Sequence, residues 1–132
     1  MKNLEIDPKV KPLVDVVNKS GFLFTCSSCE GHDDLTKTPF HVRCEFDDLE
    51  KVKEFSGRIQ EYYLKGDWHW AATLDVYNRY WITPNEGWKD IKQQLIIELV
   101  PFDDEVSVGT FYEAVNKLTS SAEKALGDMG CQ

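Results

Sequence analysis

Positive charge is in short supply in this chain. Fifteen Lys and Arg face 23 Asp and Glu in 132 residues, a formal net charge of −8. Nucleic-acid binders draw much of their affinity from clustered Lys and Arg that neutralise phosphates. No such cluster stands out here, so the balance argues against a nucleic-acid partner and fits a protein held in solution by its charge. Long apolar runs are also missing, and none approaches a membrane span. The opening residues, Met1 to Pro8, lack a basic region followed by an apolar segment and do not read as a secretory leader. The expected setting is therefore cytoplasmic. The four cysteines would stay thiols there, or bind metal, rather than pair as disulfides. With no repeat, linker or low-complexity tract, the expectation is one domain over 1–127 and a frayed tail over 128–132.

Aromatic residues are plentiful: four Trp, five Tyr and seven Phe. They supply a packed core, and any left exposed can stack on flat ligands.

The periodicity predicts an α+β fold in the order α-β-β-α-β-β-β-α. Asp7-Pro8 has the form of a helix start, and Val10, Leu13, Val14 and Val17 follow at helical spacing. Pro12 requires that this helix kink or begin there, and Gly21 suits a left-handed stop. Strands are expected over 22–27 and 39–46, the second with Phe40, Val42, Cys44 and Phe46 on one face and Arg43 and Glu45 on the other. A helix over 47–66 has capping-box spacing at Asp47 and Glu50 and an apolar stripe of Leu49, Val52, Phe55, Ile59 and Tyr62. Alternation over 68–77, a turn at Asn78-Arg79, and strands over 80–83 and 92–100 follow. Pro84 to Gly87 reads as a turn between the last two. Thr110 and Glu113 cap a closing helix with Gly127 as its stop. Several strand connections are too short for parallel crossovers, so the sheet of about five strands should be mostly antiparallel or mixed, with the three helices largely on one face.

One stretch concentrates chemically useful groups: Phe22-Leu-Phe-Thr25-Cys26-Ser27-Ser28-Cys29-Glu30-Gly31-His32. It begins as a strand and ends as a polar loop. Loop amides and hydroxyls there suit an anionic or carbonyl-bearing ligand, and Gly31 permits close approach. Equally, the serines can satisfy local backbone groups in a turn. Cys29 and His32 have the types of a thiolate–imidazole pair, but no oxyanion hole or third orienting residue can be assigned.

Cys26, Cys29, His41 and Cys44 have the ligand types of a structural zinc site. If 39–46 is a strand, however, His41 and Cys44 lie on opposite faces, and the set is not assigned to a metal. Trp68 and Trp70 share one parity of an expected strand, available for core packing or for stacking on a ligand.

Pro12-Leu13-Val14-Asp15 to Asn18, followed by Thr25 to His32, resembles the N-terminal region of the third wybutosine-synthesis protein family. There a similar helix leads into a strand ending Thr-Thr-Ser-Ser-Cys-Ser-Gly-Arg. The stretch is also similar to small bacterial and phage-type proteins with a Ser-Cys-x-Gly-His motif. The resemblance spans about residues 10–46, and His32 stands where the wybutosine family has Arg. It implies a related N-terminal fold and, by extension, S-adenosylmethionine-dependent methylation of a modified guanine in tRNA.

Three readings follow. The first is a small ligand-binding protein with its pocket at the Ser27 to His32 loop and a nucleotide-like ligand. Thr25, Ser27, Ser28, Cys29, Gly31 and His32 would supply contacts, and Trp68 or Trp70 would stack. The second, implied by the resemblance, is an S-adenosylmethionine-dependent RNA-modifying enzyme. The third is a zinc-stabilised structural or interaction module. The residues assign no catalytic group and no cofactor, and they are compatible with a homo-oligomer.

Overall fold

A proline decides where the first helix begins. In the computed structural model, which describes residues 8–29, 40–82 and 91–130, α1 spans Lys11–Asn18 with Pro12 in its first turn. A missing N–H costs nothing there, so the helix starts one residue before the second proline and Pro8 to Val10 form a turn. Asp7 lies outside the described residues. Gly21 takes φ +86°, the left-handed conformation expected of it, and turns the chain into β1 (Leu23–Cys29).

β2 (Phe40–Phe46) alternates as expected: Phe40, Val42 and Cys44 are fully buried, with the residues between them more open. α2 (Leu49–Lys65) is capped by Asp48, not Asp47, whose carboxylate accepts from the Lys51 N–H at 3.2 Å. Its buried stripe is Val52, Phe55, Ile59 and Tyr63 in place of Tyr62. Leu49 is left exposed and Tyr62 half-buried.

The strand expected at Trp68 begins at Ala72. Gly66, Asp67 at φ 61°, and hydrogen bonds from Ala71 N and Ala72 N to Trp68 O fold the intervening residues into turns. The Tyr63 hydroxyl donates to Ala72 O (2.9 Å) and Trp68 O (3.3 Å), tying this segment to α2. Nor does the chain turn at Asn78-Arg79: β3 (Ala72–Ile82) runs through it as one 11-residue strand. Neither residue adopts a positive φ, which a two-residue hairpin of the favoured kind requires. The two strands expected over 68–83 are thus one, and the sheet among the described residues has four strands. The turn expected at Pro84 to Gly87 lies outside the described residues.

β4 spans Ile91–Pro101, and α3 spans Val108–Asp128, capped by Ser107, whose hydroxyl accepts from Thr110 N at 3.1 Å. α3 continues one residue past the expected Gly127 stop. Asp128 accepts the Tyr62 hydroxyl and pairs with Arg58 at 3.5 Å, joining the ends of α2 and α3.

The strands lie in the order β1-β2-β4-β3, each pair antiparallel, in a single α+β domain. α1 packs on β1 and α3, and α2 on β3 and α3. Leu23, Val42, Leu95, Ile97 and Leu99 from the sheet meet Leu13, Val17, Phe55, Ile59, Phe111 and Leu118 from the helices. Phe40 meets Phe111 edge-on at 6.4 Å, and Phe22 meets Phe55 at 6.3 Å. No helix among the described residues is long and apolar enough to cross a membrane.

Candidate functional site on the open face of the sheet

Side chains alternate along each strand, and residues opposite one another in antiparallel register share a face. The pairing therefore divides the sheet into transverse rows. The row Thr25, Cys44, Leu95 and the row Ser28, Val42, Ile97 face the helices. The intervening rows form the other face, which no described helix covers. They are His41, Glu98, Asp75; then Ser27, Arg43, Ile96, Tyr77; then Phe24, Glu45, Gln94, Arg79.

A β-bulge shapes this face at β1. The register slips between Thr25 and Ser27, leaving Cys26 as the extra residue. Its thiol sits over β2 and β4, accepting from Gln94 Nε2 at 3.1 Å and donating to Arg43 O at 3.5 Å. Burial raises the Cys26 thiol pKa, and the charge of Glu45 raises it further against the opposing pull of Arg43. A thiol held protonated is a poor nucleophile.

Arg43 occupies the middle of the face. It is half-buried, and its Nε is enclosed with no hydrogen-bond partner among the described residues. Beside it Ile96, only 1% exposed, supplies an apolar floor and is flanked in register by Arg43 and Tyr77. The Tyr77 hydroxyl donates to Glu98 Oε2 at 3.2 Å. Partial burial raises the Tyr77 pKa and the Glu98 charge adds to the rise, while Arg43 and Arg79 work the other way. Tyr77 and Phe24 leave 43% and 49% of their surfaces exposed, so the face offers aromatic surface as well as charge.

The residues singled out in the sequence are not all brought together. Ser27 joins Arg43 on the open face. Thr25 and Ser28 point the other way, Thr25 with its hydroxyl enclosed beside the buried Cys44 thiol. Cys29 is opposite His41 in register, and Gly31 and His32 lie outside the described residues. Trp68 and Trp70 stack on each other at 5.8 Å in the turn before β3, at the opposite edge of the sheet from β1. With two strands between those edges, roughly 14 Å separates them, so the pair does not share a site with Ser27.

Of the four zinc-type ligands, Cys44 faces the helices while Cys26 and His41 are on the open face. The sheet itself therefore separates them. Burial pushes the Cys44 thiol up to about 12. Among the described residues no group of three or more His, Cys, Asp or Glu is arranged to hold a metal ion.

Reading along one strand missed Arg43, Gln94, Tyr77 and Glu98. The signal for Arg43 was its parity opposite Phe40, Val42 and Cys44. The others required knowing that β4 lies between β2 and β3. Comparison of the chain with family models, curated proteins and solved structures returns no match. The functional reading therefore rests on this face.

Proposed function

We propose that this protein binds a small anionic, nucleotide-like ligand on the open face of its sheet, with Arg43 as the anchor. The observation that carries the reading is the enclosed Arg43 Nε, which has no partner among the described residues. Leaving a buried donor unpaired costs about 1–3 kcal/mol, and more when it is charged. A ligand phosphate or carboxylate relieves that cost through a charge-assisted hydrogen bond, in the planar geometry that a guanidinium favours. Ser27 adds a hydroxyl beside it, and Tyr77 and Phe24 offer rings for a flat base. Binding is favoured over catalysis because the Cys26 thiol and the Tyr77 phenol, two groups that could act as nucleophiles on this face, are both shifted toward their protonated forms.

The test is calorimetric titration with nucleoside monophosphates and, separately, S-adenosylmethionine. Arg43→Gln should weaken a monophosphate at least tenfold, and Ser27→Ala should weaken it measurably. Ser28→Ala, on the helix side, should not. Binding that survives Arg43→Gln, or no binding by any monophosphate at millimolar concentration, overturns the reading. Preferential binding of S-adenosylmethionine would move the assignment to the methyl-transfer reading that the N-terminal resemblance implies.

A further inference from the structure

The two edges of the sheet are built differently. β1 is seven residues long and interrupted by the Cys26 bulge, a device that discourages strand addition. β3, the outermost strand on the other side among the described residues, is 11 residues long, contains no Pro or Gly, and pairs with β4 without a register break from Ala72 to Ile82. A long regular edge of β-branched and aromatic residues is a template for another strand. We infer that the protein forms a two-fold dimer through antiparallel pairing of β3 with β3 of a second copy, centred on Tyr77.

Symmetry and charge select that centre. When a two-fold axis relates antiparallel strands, one residue must face its own copy, because directly opposite residues share a face of the sheet. A centre at Asp75 or at Arg79 would set like charges against each other, which is destabilising. A centre at Tyr77 places Asp75 opposite the partner's Arg79, and Arg79 opposite the partner's Asp75. Tyr77 is also the midpoint of Ala72–Ile82, so this register alone pairs the whole strand with nothing overhanging.

Apolar surface lies along the same edge. Leu64 and Phe102, 61% and 59% exposed, border a cavity of about 220 Å³ that is also lined by Tyr63, Thr73 and Leu74. In the centred register Leu74, which lines this cavity, lies opposite position 80 of the partner strand. The result is a continuous eight-stranded sheet whose open faces merge.

The test is sedimentation velocity on the full chain from micromolar to millimolar concentration, with charge reversals. The unaltered chain should dimerise. Asp75→Arg alone and Arg79→Asp alone should each weaken the dimer by about tenfold or more, since each sets two like-charge pairs across the seam. The double reversal should restore it. A monomer at all concentrations overturns the inference, as does a dimer indifferent to the single reversals or a double variant that stays monomeric. Circular dichroism checks that each variant folds. If one does not, Tyr77→Cys decides. Self-opposed Cα atoms about 4.5–5.5 Å apart lie within disulfide reach, so oxidation should link two chains at position 77. No link at that position overturns the inference.

Discussion

Replacing Arg43 by Met should separate stability from binding. The methionine keeps most of the aliphatic stem that lies beside Ile96 and removes the guanidinium. If Arg43 is there for a ligand, the ligand-free protein bears the cost of an enclosed Nε with no partner among the described residues. Removing that donor recovers about 1–3 kcal/mol. Lost contacts of the guanidinium take back part of it, so the net expectation is a gain of about 1 kcal/mol. For a domain of 132 residues that corresponds to a rise of about 3–5 °C in Tm. Urea and thermal denaturation of the ligand-free protein measure the gain, and titration with a nucleoside monophosphate measures the loss of affinity. A Met variant destabilised by more than about 1 kcal/mol would refute the reasoning, because the guanidinium would then be supporting the sheet.

Alkaline pH should expose the buried thiol. Cys44 is raised from 9.0 to about 12 in the folded protein, so unfolded chains lose this proton first as pH rises. Its contribution is intact below pH 9 and is lost progressively up to about 12, to a total on the order of 4 kcal/mol. Denaturation midpoints of the unaltered chain should therefore fall over that window more steeply than those of Cys44→Ala; parallel curves would refute it. The cap variants Asp48→Ala and Ser107→Ala should each cost about 1 kcal/mol in urea denaturation. Tyr63→Phe should cost about 1–3 kcal/mol, because it strips the buried Ala72 carbonyl of a 2.9 Å hydrogen bond. A loss below 0.5 kcal/mol would show that water replaces the hydroxyl.

The parts of the fold set by short-range rules were legible in the sequence. Phe40, Val42 and Cys44 showed their common face by alternation alone, and Gly21 its left-handed turn. Trp68-His69-Trp70 misled because it alternates like a strand. The segment is instead folded by Asp67 at positive φ and by a hydrogen bond from Tyr63 in a different element. Asn78-Arg79 misled in the other direction, since a polar pair between apolar residues resembles a turn and is here a stretch of β3 with charge on its outer rows. The candidate site was half legible. Ser27 and the bulged Cys26 lie in the stretch that drew attention, but Arg43, Tyr77, Gln94 and Glu98 meet them only through the order β1-β2-β4-β3. That order depends on pairing between distant segments, which no local pattern records.

The order also sets how the protein must assemble. β1 with β2, and β3 with β4, join strands consecutive in the chain, but the seam between β2 and β4 brings together Val42 and Ile97, about fifty-five residues apart. Loop-closure entropy must be met before that seam returns any energy, so its zipping is the expected rate-limiting step of folding. During synthesis, the inner edge of β2 stays unpaired until β4 has left the ribosome, a window in which Phe40 and Val42 are open to the wrong partner.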